Sequence, residues 1–308
     1  MSFQFLNFED THVKIGGKTM YATSASMQIK PQIGAERVYS GFDRETLTTQ
    51  TKLHRQAALG PIEGSLDVTF YLTTNLFESL SPDSIFDVEN VDEKPIVNNR
   101  IGRYILGDLY LTKFGFKLKP FNVVEATASY FMSGTLERDR PSYRIPLSEM
   151  EGFDPVHALR CFAVMSAGGV DMQTIDDIND SDYVFEITDL DYSINVERNK
   201  SALIRINENT IINTRPQGAK YNRVSVNNME SSMQISSNDL VDKLNPYGEY
   251  QYGNAPPGTD SSIAAYLYTI NGSRLAKFNC SGKITDQSLA VNKDGMTTAN
   301  VTVKEIIR

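Results

Sequence analysis

The chain reads as a mainly β protein: two tandem β-sandwich or barrel domains, each with a short flanking helix. Three observations carry this expectation. Segments recur at a spacing of about half the chain, most apolar residues fall in runs with a two-residue period, and helix signals are confined to a few short stretches.

The recurrence shows in three places. Residues 72–82 read LTTNLFESLSP and residues 235–246 read ISSNDLVDKLNP, with their prolines, Pro82 and Pro246, 164 residues apart. Each is a strand end, two hydroxyl residues, an Asn, an amphipathic turn of helix closing on Leu, and a Pro. LTKF (Leu111 to Phe114) falls on LAKF (Leu275 to Phe278) at the same spacing, and TSASMQI (Thr23 to Ile29) falls on TDLDYSI (Thr188 to Ile194) at 165. A period of this length denotes whole domains and not a solenoid. Residues 1–139 and 183–308 are therefore expected to be two β domains. The connecting segment, 140–182, contains the proline-punctuated ERDRPSYRIP and the acidic DDINDSD.

In the first half, Met20 to Ile29 alternates loosely and stops at Pro31, which cannot continue a central ladder. Ser65 to Leu72 puts Leu66, Val68, Phe70 and Leu72 on one face. Tyr104 to Lys119 is a long strand that sets Phe114, Phe116 and Leu118 against Lys113, Lys117 and Lys119. PFN (Pro120 to Asn122) then turns the chain into VVEATASYFM. The second half follows the same order, with strands at Phe185 to Val196, Ser232 to Ser236, Tyr266 to Ile270, Arg274 to Ile284 and Met296 to Ile306. Asn271-Gly272 marks a tight hairpin, because both residues tolerate positive φ.

Helices are expected at Asn75 to Leu80 and Asp239 to Leu244, the second capped by Ser237 or Asn238. A third is expected at Pro155 to Ser166, with Asp154 as its cap and Gly168-Gly169 as its stop. Its CFAVM run also fits a buried strand.

A hydrophobic fraction of 40% and a charged fraction of 22% describe a globular chain. The net charge of −8 argues against a nucleic-acid-coating role, which needs a basic surface. Cys161 and Cys280 fall in different halves and read as buried thiols of a reducing compartment, in preference to a disulfide. The opening MSFQFLNFED lacks the pattern of a signal peptide, and no apolar run approaches the roughly 20 residues of a membrane helix.

Catalytic patterns are missing. The three histidines, His12, His54 and His157, stand near no nucleophile motif, and there is no Walker loop, nucleophile elbow or His-Glu-x-x-His. His157 and Cys161 have metal-ligand spacing on a helix but no second pair nearby. The Asp176 to Asp182 run puts Asp182 where a calcium loop needs Gly and Thr188 where it needs Glu. The expectation is no enzyme, no cofactor and no metal.

Two long segments, Glu36 to Gly60 and Arg198 to Arg223, follow the first strand of each half, and segments of this length are usually functional. Both are biased toward basic residues. The first carries Arg37, Arg44, Lys52 and Arg55; the second carries Arg198, Lys200, Arg205, Arg215, Lys220 and Arg223. They read as docking loops, mobile in the free subunit.

Local patterns resemble a known family. LYLTKFGFKLKPFNVVEATASYFMSG resembles the C-terminal hairpin of bacteriophage tail tube proteins, and FEITDLDYSINVERN resembles their first strand, which runs into a protruding loop. The short helices after SLDVTFYLTT and MQISS resemble the one that flanks their sheet. Two such domains in one chain are similar to the major tail proteins of some long non-contractile tails. The resemblance implies tail-tube-like domains and a structural virion protein, assembled in the host cytoplasm and located in the tail. Its copies would form rings, trimeric and pseudo-hexameric or else hexameric, and the rings would stack into a conduit for DNA ejection. DNA would pass without specific binding. The partners implied are further copies and other tail proteins, with no membrane. Arg37, Arg44, Lys52, Arg55, Arg205, Arg215, Lys220 and Arg223 become candidates for ring-to-ring contact. The alternative within the same assembly is a baseplate hub or tail-completion ring protein. A carbohydrate-binding β-sandwich ranks lower, since the chain has no tryptophan for a sugar platform.

Overall fold

The computed structural model describes residues 13–20, 22–30, 33–43, 48–58, 61–72, 95–102, 104–119, 122–134, 136–138, 161–167, 184–201, 205–207, 210–212, 221, 223–238, 260–269, 274–291 and 297–306. Among them every regular element is a strand. The first half holds β1 (Val13–Ile15), β2 (Lys18–Met20), β3 (Ala22–Lys30), β4 (Ile33–Asp43), β5 (Thr48–Ala58), β6 (Glu63–Tyr71), β7 (Asn99–Ile101), β8 (Tyr104–Leu106), β9 (Asp108–Leu118), β10 (Glu125–Ser133) and β11 (Glu137–Arg138). The second holds β12 (Cys161–Ala167), β13 (Val184–Glu186), β14 (Asp189–Ser201), β15 (Arg205–Asn207), β16 (Thr210–Ile212), β17 (Arg223–Ser237), β18 (Asp260–Thr269), β19 (Arg274–Val291) and β20 (Thr297–Ile306).

Period-two burial explains why these segments are strands. Leu66, Val68, Phe70 and Leu72 face one way, as do Phe114, Phe116 and Leu118, and Leu190, Tyr192, Ile194 and Val196; all are buried. They share one core that spans both halves and takes in Val13, Ile15 and Met20 from β1 and β2.

Among the described residues all strand pairings are antiparallel. Eleven strands form one sheet in the order β13-β12-β18-β19-β20-β17-β14-β9-β10-β6-β3, and β11-β8-β7-β1-β2 form a second. Two ribbons, β4-β5 and β15-β16, stand apart. The orders run in parallel. β3-β6-β10-β9 is followed across one seam by β14-β17-β20-β19, and a ribbon interrupts each set between its first two strands. The run β8-β7-β1-β2 has its counterpart in β19-β18-β12-β13.

Details of the ladders repeat as well. The register of β9 on β10 skips Thr112, whose Oγ1 donates to the Ser129 carbonyl at 2.9 Å. The register of β19 on β20 skips Thr285, whose Oγ1 donates to the Thr302 carbonyl at 3.4 Å. Thr23 Oγ1 donates to the Thr69 carbonyl at 3.3 Å, and Thr188 Oγ1 to the Ser236 carbonyl at 3.0 Å. Matched on these bonds, the spacing is 165 for β3 and β14, 167 for β6 and β17, and 173 for the β9–β10 and β19–β20 hairpins.

Several sequence expectations need correction. LTKF and LAKF do not occupy matching places. Leu111 lies opposite Tyr130 of β10, whereas the LAKF segment lies in the half of β19 that pairs with β18. The expected helix at Pro155 to Ser166 gives way to the strand alternative at Cys161–Ala167. This run has β18 on one side and β13 on the other, and a ladder on both sides satisfies a short apolar segment that no helical stripe would bury. The connecting segment thus holds a sheet strand. Glu36 to Gly60 is not an open loop: its backbone pairs as a hairpin from Ile33↔Ala58 to Asp43↔Thr48. Arg198 belongs to β14 and Arg223 to β17, so the second segment is also strand at both ends. The two short helices at 75–80 and 239–244 lie outside the described residues.

Two strand runs break or change partner at a glycine that allows close approach. The expected strand from Tyr104 breaks at Gly107, where a Cβ would sit 2.5 Å from the Ser133 carbonyl oxygen. β19 changes partners from β18 to β20 at Gly282–Lys283, and a Cβ on Gly282 would lie 1.9 Å from the Lys304 carbonyl oxygen. Gly282→Ala should therefore destabilise the fold by more than about 2 kcal/mol, because backbone has to move. Gly115→Ala, with its nearest neighbour at 3.1 Å, should cost less. Urea denaturation of the two variants checks this order.

Candidate assembly interface

The seam between the halves is a backbone ladder. β9 pairs with β14 from Leu190↔Leu118 to Asn195↔Lys113. On the core face Phe116 meets Tyr192 at 5.6 Å between ring centroids, and Phe278 of β19 lies over both, at 4.8 and 5.0 Å. On the solvent face Lys117 Nζ lies 2.8 Å from Asp191 and Lys119 Nζ lies 3.8 Å from Asp189. The hydrogen bond and charge of Asp191 raise the Lys117 pKa above its ordinary value. The contribution of this pair is complete below the lysine range and is lost as pH rises through the raised value.

A second contact closes the far end of the seam. Arg198 Nε donates to the Leu111 carbonyl at 2.8 Å, and its guanidinium stacks 5.5 Å over Tyr110. Burial lowers the Arg198 pKa to about 10. Lys200 Nζ lies 3.8 Å over Phe131 and 3.6 Å from Glu63. Tyr221 donates its hydroxyl to Glu63 and its N–H to Ser133 Oγ, and its ring packs on Phe131 at 5.8 Å. Tyr110, Phe131 and Val224 are buried there with Tyr221 against them, a small apolar cluster on the side away from the main core.

Among the described residues β13 ends the large sheet on one side and β11 and β2 end the smaller one, and two further edges, on β3 and on the far half of β19, are also open. β3 pairs with β6 on one side and, among the described residues, with nothing on the other. From Ile284 to Val291, β19 has β20 on one side and, among the described residues, no strand opposite. β3 is nine residues long and exposed along most of its length, an edge that invites another chain.

Outside that small apolar cluster, the sheet face away from the main core is polar. Ser26, Asp67, Thr127, Lys117, Asp191, Glu230, Gln234 and Thr302 occupy it at exposed or half-buried positions. Acidic and basic residues alternate across neighbouring strands, as in the row Glu125, Lys117 and Asp191.

The candidate contact residues fall in and around the ribbons. Arg37 lies in β4, and Lys52 and Arg55 lie in β5. Arg205 begins β15 and Arg223 begins β17. Arg44, Arg215 and Lys220 are outside the described residues. The described candidates thus lie in the two ribbons, except Arg223 at the start of β17. The clamp of Arg198, Tyr221, Lys200 and Glu63 was not anticipated as a unit, since its members are far apart in the chain. Among the described residues no group of three or more His, Cys, Asp or Glu could hold a metal ion. Cys280 is buried, and its thiol pKa is raised chiefly by that burial.

No protein-family profile and no curated protein matches this chain.

If the seam depends on its aromatic side, Phe116→Ala should cost about 3–5 kcal/mol. Asp191→Asn should cost no more than about 1 kcal/mol, because that pair is largely solvated. It should also return Lys117 toward its ordinary pKa, read by NMR titration. Chemical denaturation measures both energies.

Proposed function

We propose that the chain is a tandem duplication of a tail-tube-like domain, a structural protein of a phage tail tube whose copies join into stacked rings. The observation that carries this reading is the seam together with the open edges of β3 and of the far half of β19. By the spacings of the shared threonine bonds, β3 corresponds to β14 and Ile284–Val291 corresponds to the part of β9 that forms the seam. The chain thus contains one complete seam and the two unmatched halves of a second.

A neighbouring copy would supply the missing half. Its β3 would pair on β19 as β14 pairs on β9, placing Met27 opposite Leu289 and Ala25 opposite Val291. These pairs correspond to Tyr192 opposite Phe116 and Leu190 opposite Leu118. Repeating the step closes a barrel, which removes the exposed edges. Three copies give about twenty-four strands, beyond the sixteen to eighteen at which a barrel already encloses an aqueous channel. The second domain then begins at β12, earlier than residue 183. The polar face would line the channel, where basic residues interspersed with acidic ones would let DNA pass without the cumulative drag of many phosphate contacts. The ribbon tips would reach the next ring.

Electron microscopy of the purified protein tests the reading, with stacked tubes as the expected result. Rings that never stack would move the assignment to a hub or completion ring. A monomer at high concentration without rings would overturn it. Proline substitutions at Ser26 and Met27, made singly, probe the edge. N–H groups along an antiparallel edge strand point alternately inward and outward, so one substitution should abolish rings while leaving the melting temperature nearly unchanged. Arg44→Glu with Arg205→Glu should leave rings intact and suppress stacking, and high salt should act in the same direction.

A further inference from the structure

The two arms differ in what they touch. The arm of the second half is clamped at its base onto the first half, through Tyr221 on Glu63, Phe131 and Ser133. The first-half arm has the same base geometry: Ile33↔Ala58 in β4–β5 corresponds to Arg198↔Val226 in β14–β17, with spacings of 165 and 168. At 168 the segment KLHR (Lys52 to Arg55) falls on KYNR (Lys220 to Arg223), and Leu53 takes the place of Tyr221.

The surface that such an arm would need is present on the second half. Glu230 corresponds to Glu63, Lys304 to Phe131 and Ile306 to Ser133. Glu230 lies directly opposite Ile306 in the ladder, as Glu63 lies opposite Ser133. Glu230 and Lys304 are exposed, and Ile306 is 74% exposed, a large apolar side chain presented to water at the end of its strand. In the first half the matching corner is covered by Tyr221.

We propose that the Lys52 to Arg55 segment of one copy docks on the Glu230–Lys304–Ile306 corner of a neighbouring copy, with Leu53 covering Ile306. The basic segment meets the Glu230 carboxylate, and the Lys304 stem takes the apolar role that Phe131 plays inside the chain. This rests on the ring reading and adds a specific lateral contact to it: the base of the first arm clasps the neighbour in the same ring, and only the tip is left for the ring above or below. Lys52 and Arg55, and by correspondence Lys220 and Arg223, then act within a ring and not between rings.

Paired cysteines test the contact. Chains carrying Leu53→Cys and chains carrying Ile306→Cys are mixed and oxidised, beside a second mixture of Met27→Cys and Leu289→Cys that reports the strand edge. Chains with only their natural cysteines are the control. Covalent heterodimers from both mixtures, absent from the control, are the expected result. Cross-linking at the edge without cross-linking of Leu53→Cys to Ile306→Cys would overturn the docking and leave the ring reading standing. No cross-linking in either mixture, with no rings, would overturn both. Leu53→Asp should raise the concentration at which rings form at least tenfold while leaving thermal melting of the subunit unchanged; unchanged ring formation would likewise refute the contact.

Discussion

The architecture depends on the backbone ladder between β9 and β14. Without it each half would end in an unpaired strand, and the N–H and C=O groups of both edges would have to be satisfied by water or by another molecule. With it the two halves share one sheet and one core. Phe116 and Tyr192 come from opposite sides of the ladder, and Phe278 closes over them. The aromatic contact forms because the ladder sets the register, and a one-residue slip of β14 would turn Tyr192, with Leu190, Ile194 and Val196, to the polar face.

The same constraint explains how much was legible in the sequence. Strand existence and facing were readable wherever one face is buried and the other wet, as at Leu66, Val68, Phe70 and Leu72, since that contrast writes itself as alternation. The similar strand order of the two halves was readable in outline, but the register that relates them was not. LTKF and LAKF are alike only as letters: one pairs with β10 and the other with β18, within an eighteen-residue strand whose far half pairs with β20. The reliable markers are Thr112 and Thr285, inconspicuous as letters, whose hydroxyls hold the same irregularity in two ladders. The strand at Cys161–Ala167 was hidden by its all-apolar run, which carries no period.

The candidate site was less legible than the fold. Basic residues in two long segments pointed to the arms. They did not show that the segments are ribbons, that Arg198 lies against Tyr110, or that Tyr221 reaches Glu63 across 158 positions of the chain. Contacts of that range depend on which strand neighbours which, and local composition carries no record of it. The Lys-x-x-Arg likeness between residues 52–55 and 220–223 is present in the letters, yet it acquires meaning only once both are placed at the base of an arm.

The ion pairs on the solvent face of the seam have a further consequence. Lys117 and Asp191 correspond to Ala290 and Ser26 at the open edges, so a junction between copies would lack the charge contact that the internal one has. Every second junction in a closed ring would be covalently tethered and carry this ion pair, and the strand ladder of the others would be held by main-chain bonds and apolar contact. Errors made at the weaker junctions can be undone without unravelling a subunit. In such a ring a misplaced copy would leave before closure, and closure, which would satisfy the last edges together, would make the correct arrangement hard to reverse.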